Sequence, residues 1–257
     1  MKKSPSLLYE KFHKKIKLQK RIIGKKNFTY RLILDILEPN LGDEKKVLDV
    51  GCGAGTLSFY MASKGNYVKG IDISSGVIKA CKLTAKVLGL EENTNFQTED
   101  FSKKKIDERF DLVICSEVLE HIKNDKLAVK KLFNFLKSEG ILLLSVPSQN
   151  APLFRLGLIK EFDKEVGHLR RYNLNGLVNL LREPGFRILE TRKSEGILRN
   201  SLFVSRFGSQ IVRVANRFEV ISDILTFLDN ITLKLFGESQ IIVVAQKHGK
   251  GKNEDRI

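Results

Sequence analysis

The stretch 46–58, KVLDVGCGAGTLS, constrains the fold of this chain more than any other. A short apolar run (Val47, Leu48, Val50) reads as a buried parallel strand. It breaks at Gly51-Cys52-Gly53-Ala54-Gly55, and a helical pattern starts at Thr56. Glycines in a strand-to-helix turn reach positive φ and let a ligand approach without meeting a Cβ. The N–H groups opening the next helix face that ligand. A nucleotide-like guest is therefore expected. The spacing here is G-x-G-x-G, with Thr56 beyond the third glycine, and Asp49 sits where a pyrophosphate site would not want an acid. A dinucleotide is accordingly not the natural guest.

The rest of the chain alternates strand and helix signals around this loop. Residues 28–37 have helical spacing and stop before Pro39, and residues 56–64 form the helix after the loop. Strands are expected at 67–73, 93–98, 110–115, 140–146, 186–193 and 239–247. Ser74 and Ser75 can cap a helix over 76–88. Residues 116–122 are an exit loop before a helix running to Leu136; 147–172 read as loop and 173–182 as helix. Such alternation means an α/β, Rossmann-like, doubly wound sheet.

Net charge is +15, from 45 basic and 30 acidic residues, and it is uneven. Residues 1–27 form a basic arm that can favour nucleic acid, anionic lipid or a phosphorylated substrate, or simply stay solvated. Three cysteines (Cys52, Cys81, Cys115) without a C-x-x-C pair fit a reduced, cytoplasmic setting. No secretory signal is expected at the start, and no stretch approaches the ~18 apolar residues of a spanning helix. The sheet domain is expected over 28–195 together with 238–247, with a polar tail at 248–257. A helical insertion, 196–237, precedes the final strand. Its apolar residues recur at helical spacing among Arg199, Arg206, Arg213 and Arg217. It can be a packed subdomain, a dimer partner, or an amphipathic lid resting on a membrane surface.

Further acids fall at successive strand ends. Asp72 lies 21 residues after Gly51 and can accept both ribose hydroxyls of an adenosine-like ligand, beside Ile73. Asp100 can meet an adenine amine, and Phe101 can offer a backbone N–H and a stacking face. The runs VLDVGCGAG, GIDIS, EDF, FDLVICSEVLEHI and LKSEGILLLSVP, taken in order, resemble the motifs of class I S-adenosylmethionine-dependent methyltransferases over residues 30–194. The resemblance implies a seven-stranded sheet whose last strand is antiparallel. It also implies that Asp49 and Gly51 lie near the methionine moiety, that Cys52, Gly53 and Gly55 belong to the same cofactor site, and that Asp72 binds ribose and Asp100 adenine. Cys115, Ser116 and Glu117 would border the methyl group.

Glu117, Glu120 and His121 in SEVLEHI are spaced as neighbours on a helical turn and can converge on an acceptor, with His121 as base or positioning group. This E-x-x-E-H pattern resembles ubiquinone-pathway O-methyltransferases and small-RNA 3′-end 2′-O-methyltransferases. In those relatives it can hold a divalent metal, and His168 in GHLRRY would be a further ligand; capping of the helix is the plainer role. The expected reaction is methyl transfer to a small molecule, most simply at a hydroxyl, with a lipid, quinone or glycolipid-type precursor as one class. The alternatives are an RNA 2′-O-methyltransferase and a non-catalytic cofactor-binding scaffold.

Overall fold

The computed structural model describes residues 18–103, 106–205 and 207–248. Most of the basic arm (1–17), Arg206 and the tail from 249 onward lie outside the described residues.

Seven strands make one sheet in the order β3-β2-β1-β4-β5-β7-β6. They are β1 (Lys46–Val50), β2 (Tyr67–Asp72), β3 (Thr94–Thr98), β4 (Phe110–Ser116), β5 (Leu136–Pro147), β6 (Phe186–Ser194) and β7 (Gln240–Lys247). The pairs among β1 to β5 are parallel, and β7 runs antiparallel to both β5 and β6. The central strands read as near-continuous apolar runs because helices cover both faces. Alternate side chains separate the two layers. Val113, Cys115, Leu142 and Leu144 pack with Val129, Leu132, Leu177 and Leu181, whereas Leu112, Ile114 and Leu143 pack with Leu34, Leu37, Leu57 and Met61.

Helix α1 (Arg31–Leu37) starts later than the spacing predicts, because Asn27 Oδ1 accepts the Thr29 and Tyr30 N–H groups and holds a turn there. Helices α2 (Thr56–Ala62) and α3 (Ser75–Leu88) follow β1 and β2; Ser74 Oγ caps α3 by accepting the Val77 N–H. Residues 116–122 form the expected exit loop. Glu117 has φ 54°, a 3-10 turn spans Leu119–His121, and α4 (Asp125–Phe135) begins only after the Asn124 cap. Strand β5 starts at Leu136, where it pairs with Phe110 before an irregularity, rather than at Gly140. The predicted loop 147–172 contains two short helices, α5 (Pro152–Arg155) and α6 (Lys160–Val166), ahead of α7 (Leu174–Arg182).

Residues 196–237 form α8 (Ile197–Val204), α9 (Gly208–Ala215) and α10 (Glu219–Phe236). The segment leaves β6 at Ser194 and rejoins at Gln240, which are partners across the β6–β7 ladder. Gln240 also pairs with Pro147 at the end of β5, so the insertion rises from the carboxyl edge of the parallel strands. Arg199 ties it down. Its fully buried guanidinium lies 3.9 Å from the Phe28 ring centroid, donates to the Phe28 carbonyl and to Thr226 Oγ1, and pairs with Asp229.

Candidate active site

The strand order 3-2-1-4-5 reverses between β1 and β4, and the carboxyl ends of these parallel strands share one edge there, where a crevice between them receives ligands in folds of this kind. Gly51, Gly53 and Gly55 all have positive φ. A Cβ on Gly51 would come within 2.4 Å of Val118 Cγ2, whereas one on Gly53 would meet nothing within 4 Å. The loop is thus pressed against the β4 exit on one side and bare on the other. Asp72 braces it: Oδ2 accepts the Gly53 N–H (3.1 Å) and Oδ1 accepts the Ser74 N–H (2.9 Å). Asp49 is buried, and its Oδ2 accepts from Ser58 Oγ at 2.5 Å. Burial first, then repulsion from Asp72 working against the Ser58 bond, pushes its carboxyl up to about 6. A cationic ligand would find two carboxylates already in place.

Cys52 is buried beneath the loop and Cys81 Sγ donates to the Gly53 carbonyl (3.2 Å). Ile73 is half-buried at the end of β2. Asp100 turns onto its own segment, with Oδ1 accepting from Ser102 N and Oγ and Oδ2 meeting Lys103 (3.1 Å). Burial raises its carboxyl, but Ser102 and Lys103 outweigh that and hold it below the usual range. The Phe101 ring lies in the core with Val50 and Ile71, so its backbone rather than a stacking face is left for a ligand. Cys115 is fully buried, its thiol pushed up by burial and by Glu120. Ser116 Oγ and Ser145 Oγ are hydrogen-bonded (2.9 Å).

Beside the β4 exit the structure brings together Glu120, His121 and His168, with the Glu117 carboxyl bonded to other partners close by. Left-handed backbone at Glu117 turns its carboxyl to Ser145 Oγ (3.0 Å) and Gln240 Nε2 (3.2 Å), which donate to it. Because the segment is not α-helical, Glu117 stands outside that three-residue cluster, yet it remains near enough to act on Glu120 through its charge. Glu120 is 0% exposed, and among the described residues neither of its oxygens takes a hydrogen bond. His121 Nε2 lies 3.7 Å and His168 Nε2 3.8 Å from Glu120 Oε1. Burial, then Glu117, pushes the Glu120 carboxyl well above its ordinary range; burial lowers His121 to about 4.

Both imidazoles are held from behind. His121 Nδ1 lies 3.1 Å from the Gly167 carbonyl, which can only accept, so Nδ1 carries the proton and Nε2 is the unprotonated nitrogen. His168 Nδ1 lies 3.0 Å from Asp163 Oδ1, and Asp163 is gripped by Arg171 through Nε (2.8 Å) and Nη2 (2.6 Å). Helix α6 supplies Asp163 and ends at Gly167, and Leu169 N–H donates to the Glu120 carbonyl (3.0 Å), locking the two loops together. One buried carboxyl and two outward-tethered imidazoles, with ligand atoms all within 4.8 Å of one another, suit a divalent cation in donor type and in supporting bonds.

Three nearby residues escaped the sequence reading. Gln19 Nε2 donates to the Ala54 carbonyl (2.8 Å) and Thr56 Oγ1 (3.0 Å), laying the end of the arm across the glycine loop. Tyr30, its hydroxyl raised by burial, bonds Thr56 and stands near Asp49. Glu195, at φ 58°, has its carboxyl pushed up to about 8 by burial, against the pull of Arg199. None of the three belongs to a spaced motif, so only the fold could reveal them.

A family model described as methyltransferase domain matches residues 41–184. The ubiquinone biosynthesis O-methyltransferase of Glaesserella parasuis serovar 5 (strain SH0165) is 37% identical over 121 residues, covering 45% of this chain and 50% of that protein. Its counterpart in Pasteurella multocida (strain Pm70) is 36% identical over 124 residues, covering 45% and 51%. The chain spans about half the length of the curated relatives it matches. Among solved structures, a putative sarcosine dimethylglycine methyltransferase from Galdieria sulphuraria superposes with TM-score 0.64 at 14% identity, over 87% of this chain and 85% of that one. Phosphoethanolamine N-methyltransferase 2 of Haemonchus contortus, in complex with S-adenosyl-L-methionine, gives 0.65 at 18% identity over 86% and 53%. At these identities the structural likenesses concern the fold.

Proposed function

We propose, for a chain that belongs to the methyltransferase-domain family of class I S-adenosylmethionine-dependent enzymes, that the acceptor is a small molecule methylated at a hydroxyl oxygen. S-adenosylmethionine, bound against the bare face of the glycine loop, supplies an electrophilic methyl group. The protein has two tasks: to hold the acceptor oxygen in line with that methyl and to manage one proton. Asp72 is the ribose acceptor, and Asp49 lies on the methionine side with Tyr30 and Gln19 closing over it. On the far side the His121 Nε2 lone pair takes the hydroxyl proton, with Glu120 and His168 facing the same point. The observation that carries this reading is the convergence of Glu120, His121 and His168, each supported from behind, beside the β4 exit. An oxygen acceptor is further supported by the O-methyltransferase names of the curated relatives.

The same three residues would hold a divalent cation, whose chemistry there is to ease ionisation of the acceptor hydroxyl. The orphaned carboxyl oxygens of Glu120 favour this second reading.

The test is transfer of labelled methyl groups from S-adenosylmethionine into an extract separated into lipid, small-molecule, RNA and protein fractions. Label in the lipid or small-molecule fraction is expected; label confined to RNA, or none at all despite cofactor binding, would replace the reading. His121→Ala should lower transfer by about 10²–10⁴-fold while cofactor affinity, measured by calorimetry, is kept. Dialysis against a chelator leaves transfer intact where His121 acts alone and abolishes it, reversibly, where a cation is held.

A further inference from the structure

Helix α10 is built inside out. A helix covering a core buries its apolar stripe, yet the buried residues of α10 are Ser222, Thr226 and Asp229. Their partners lie in the body and on α8: Ser222 Oγ donates to the Lys26 carbonyl (2.7 Å), and Thr226 and Asp229 engage Arg199. The outward stripe is Val220, Ile224, Phe227, Leu228, Ile231 and Leu235, at spacings that keep them on one face. Val220 and Leu235 are each 69% exposed and Phe227 65%. Phe207, 80% exposed, and the exposed Ile211, Val214 and Phe218 continue the patch along α9. At the other end Arg155 Nη2 donates to the Phe236 carbonyl (2.9 Å), which brings the exposed Leu156 and Leu158 alongside. So many exposed large apolar side chains on neighbouring helices mark an interaction face.

Charge selects the occupant. Each carboxylate of α10 is countered by a basic group of the body or of α8: Glu219 by Lys26 (3.8 Å), Asp223 by Lys26 (3.0 Å) and Arg31 (2.8 Å), and Asp229 by Arg199 (3.4 Å). Arg213, Arg217 and Lys234, on α9, just after it and on α10, have no acidic partner among the described residues, and Arg217 rests on the Phe218 ring. The face is therefore apolar with uncompensated cations beside it.

We propose that α9 and α10 dock this face on an anionic lipid bilayer, the apolar stripe entering the acyl boundary and Arg213, Arg217 and Lys234 lying among the headgroups. Binding is peripheral, since no helix among the described residues is long and apolar enough to cross a membrane. The insertion rises from the edge of the sheet that carries the glycine loop, so a docked molecule opens its crevice near the bilayer. The docking itself does not depend on the reaction proposed above.

The experiment is co-sedimentation of the full chain with phosphatidylcholine vesicles, with and without phosphatidylglycerol. Binding should require phosphatidylglycerol and weaken with salt. Phe227→Glu and Ile231→Glu should each lower the partition coefficient by about tenfold or more, and Arg213→Glu with Arg217→Glu by about tenfold. Far-ultraviolet circular dichroism and melting temperature should stay at wild-type values, because all four side chains face solvent. Vesicle binding that Phe227→Glu leaves intact would move the contact to another basic region and overturn the assignment. No vesicle binding, with a concentration-dependent dimer dissolved by Phe227→Glu in velocity sedimentation, would make the face a subunit interface instead.

Discussion

Arg199→Met removes the charge that joins the helical insertion to the sheet domain while keeping an unbranched side chain to fill the space. The guanidinium has no solvent exposure, stacks on Phe28 at 3.9 Å, and is shared among the Phe28 carbonyl, Thr226 Oγ1 (3.1 Å) and Asp229 (3.4 Å). Asp229 keeps its backbone donors, Gly196 N–H (3.0 Å) and Arg199 N–H (2.7 Å), but loses the only cation beside it among the described residues. Breaking a buried pair from one side costs about 3–5 kcal/mol. For a chain of 257 residues this corresponds to a fall in melting temperature of roughly 6–10 °C, at about 2 °C per kcal/mol. Asp229→Asn in the same chain retains an oxygen for Gly196 and no longer strands a charge, so the double variant should regain about half of the loss. Thermal melts by circular dichroism measure both changes, and limited proteolysis within 196–237 should accelerate in the single variant only. A single variant within about 0.5 kcal/mol of wild type, or a double variant no better than the single, would show that Arg199 is not the tie.

Two further outcomes concern the crevice. Asp72→Asn should weaken S-adenosylmethionine binding by about 10- to 150-fold, the worth of roughly 1.5–3 kcal/mol for bonds to a charged acceptor; calorimetry showing unchanged affinity would remove Asp72 from ribose recognition. Cofactor affinity should also rise with pH up to about 6, where Asp49 ionises, and be flat above it. The direction follows because a cationic ligand favours the ionised carboxyl, and Asp49→Asn should abolish the slope.

The sheet was legible because its strands are local patterns. An apolar run ending in glycines or an acid identifies β1 and β2, and the unbroken ILLLSV identifies the buried part of β5. Asp72 could be found by its distance from Gly51. The cluster of Glu120, His121 and His168 was only half legible. Glu120, His121 and His168 stand out as residue types, but their meeting depends on Gly167, Asp163 and Arg171, which come from a stretch with no periodicity long enough to reveal α6. The backbone at Glu117 was not legible, because E-x-x-E-H fits a helical turn, whereas the Glu117 N–H donates to the Ser145 carbonyl (3.0 Å) at a left-handed φ. In the insertion, periodicity marked helices correctly but carried no information on which stripe faces inward. That was decided by Arg199, whose burial no single-residue pattern announces.

Ser194 and Gln240 stand opposite each other in the β6–β7 ladder, so everything between them departs and returns through one doorway in the sheet. A segment attached in this way can be lengthened, pruned or swapped as a cassette while the strand register on either side stays fixed. Evolution can then retarget such a scaffold to new acceptors, or to a new cellular surface, without touching the glycine loop and its neighbouring acids.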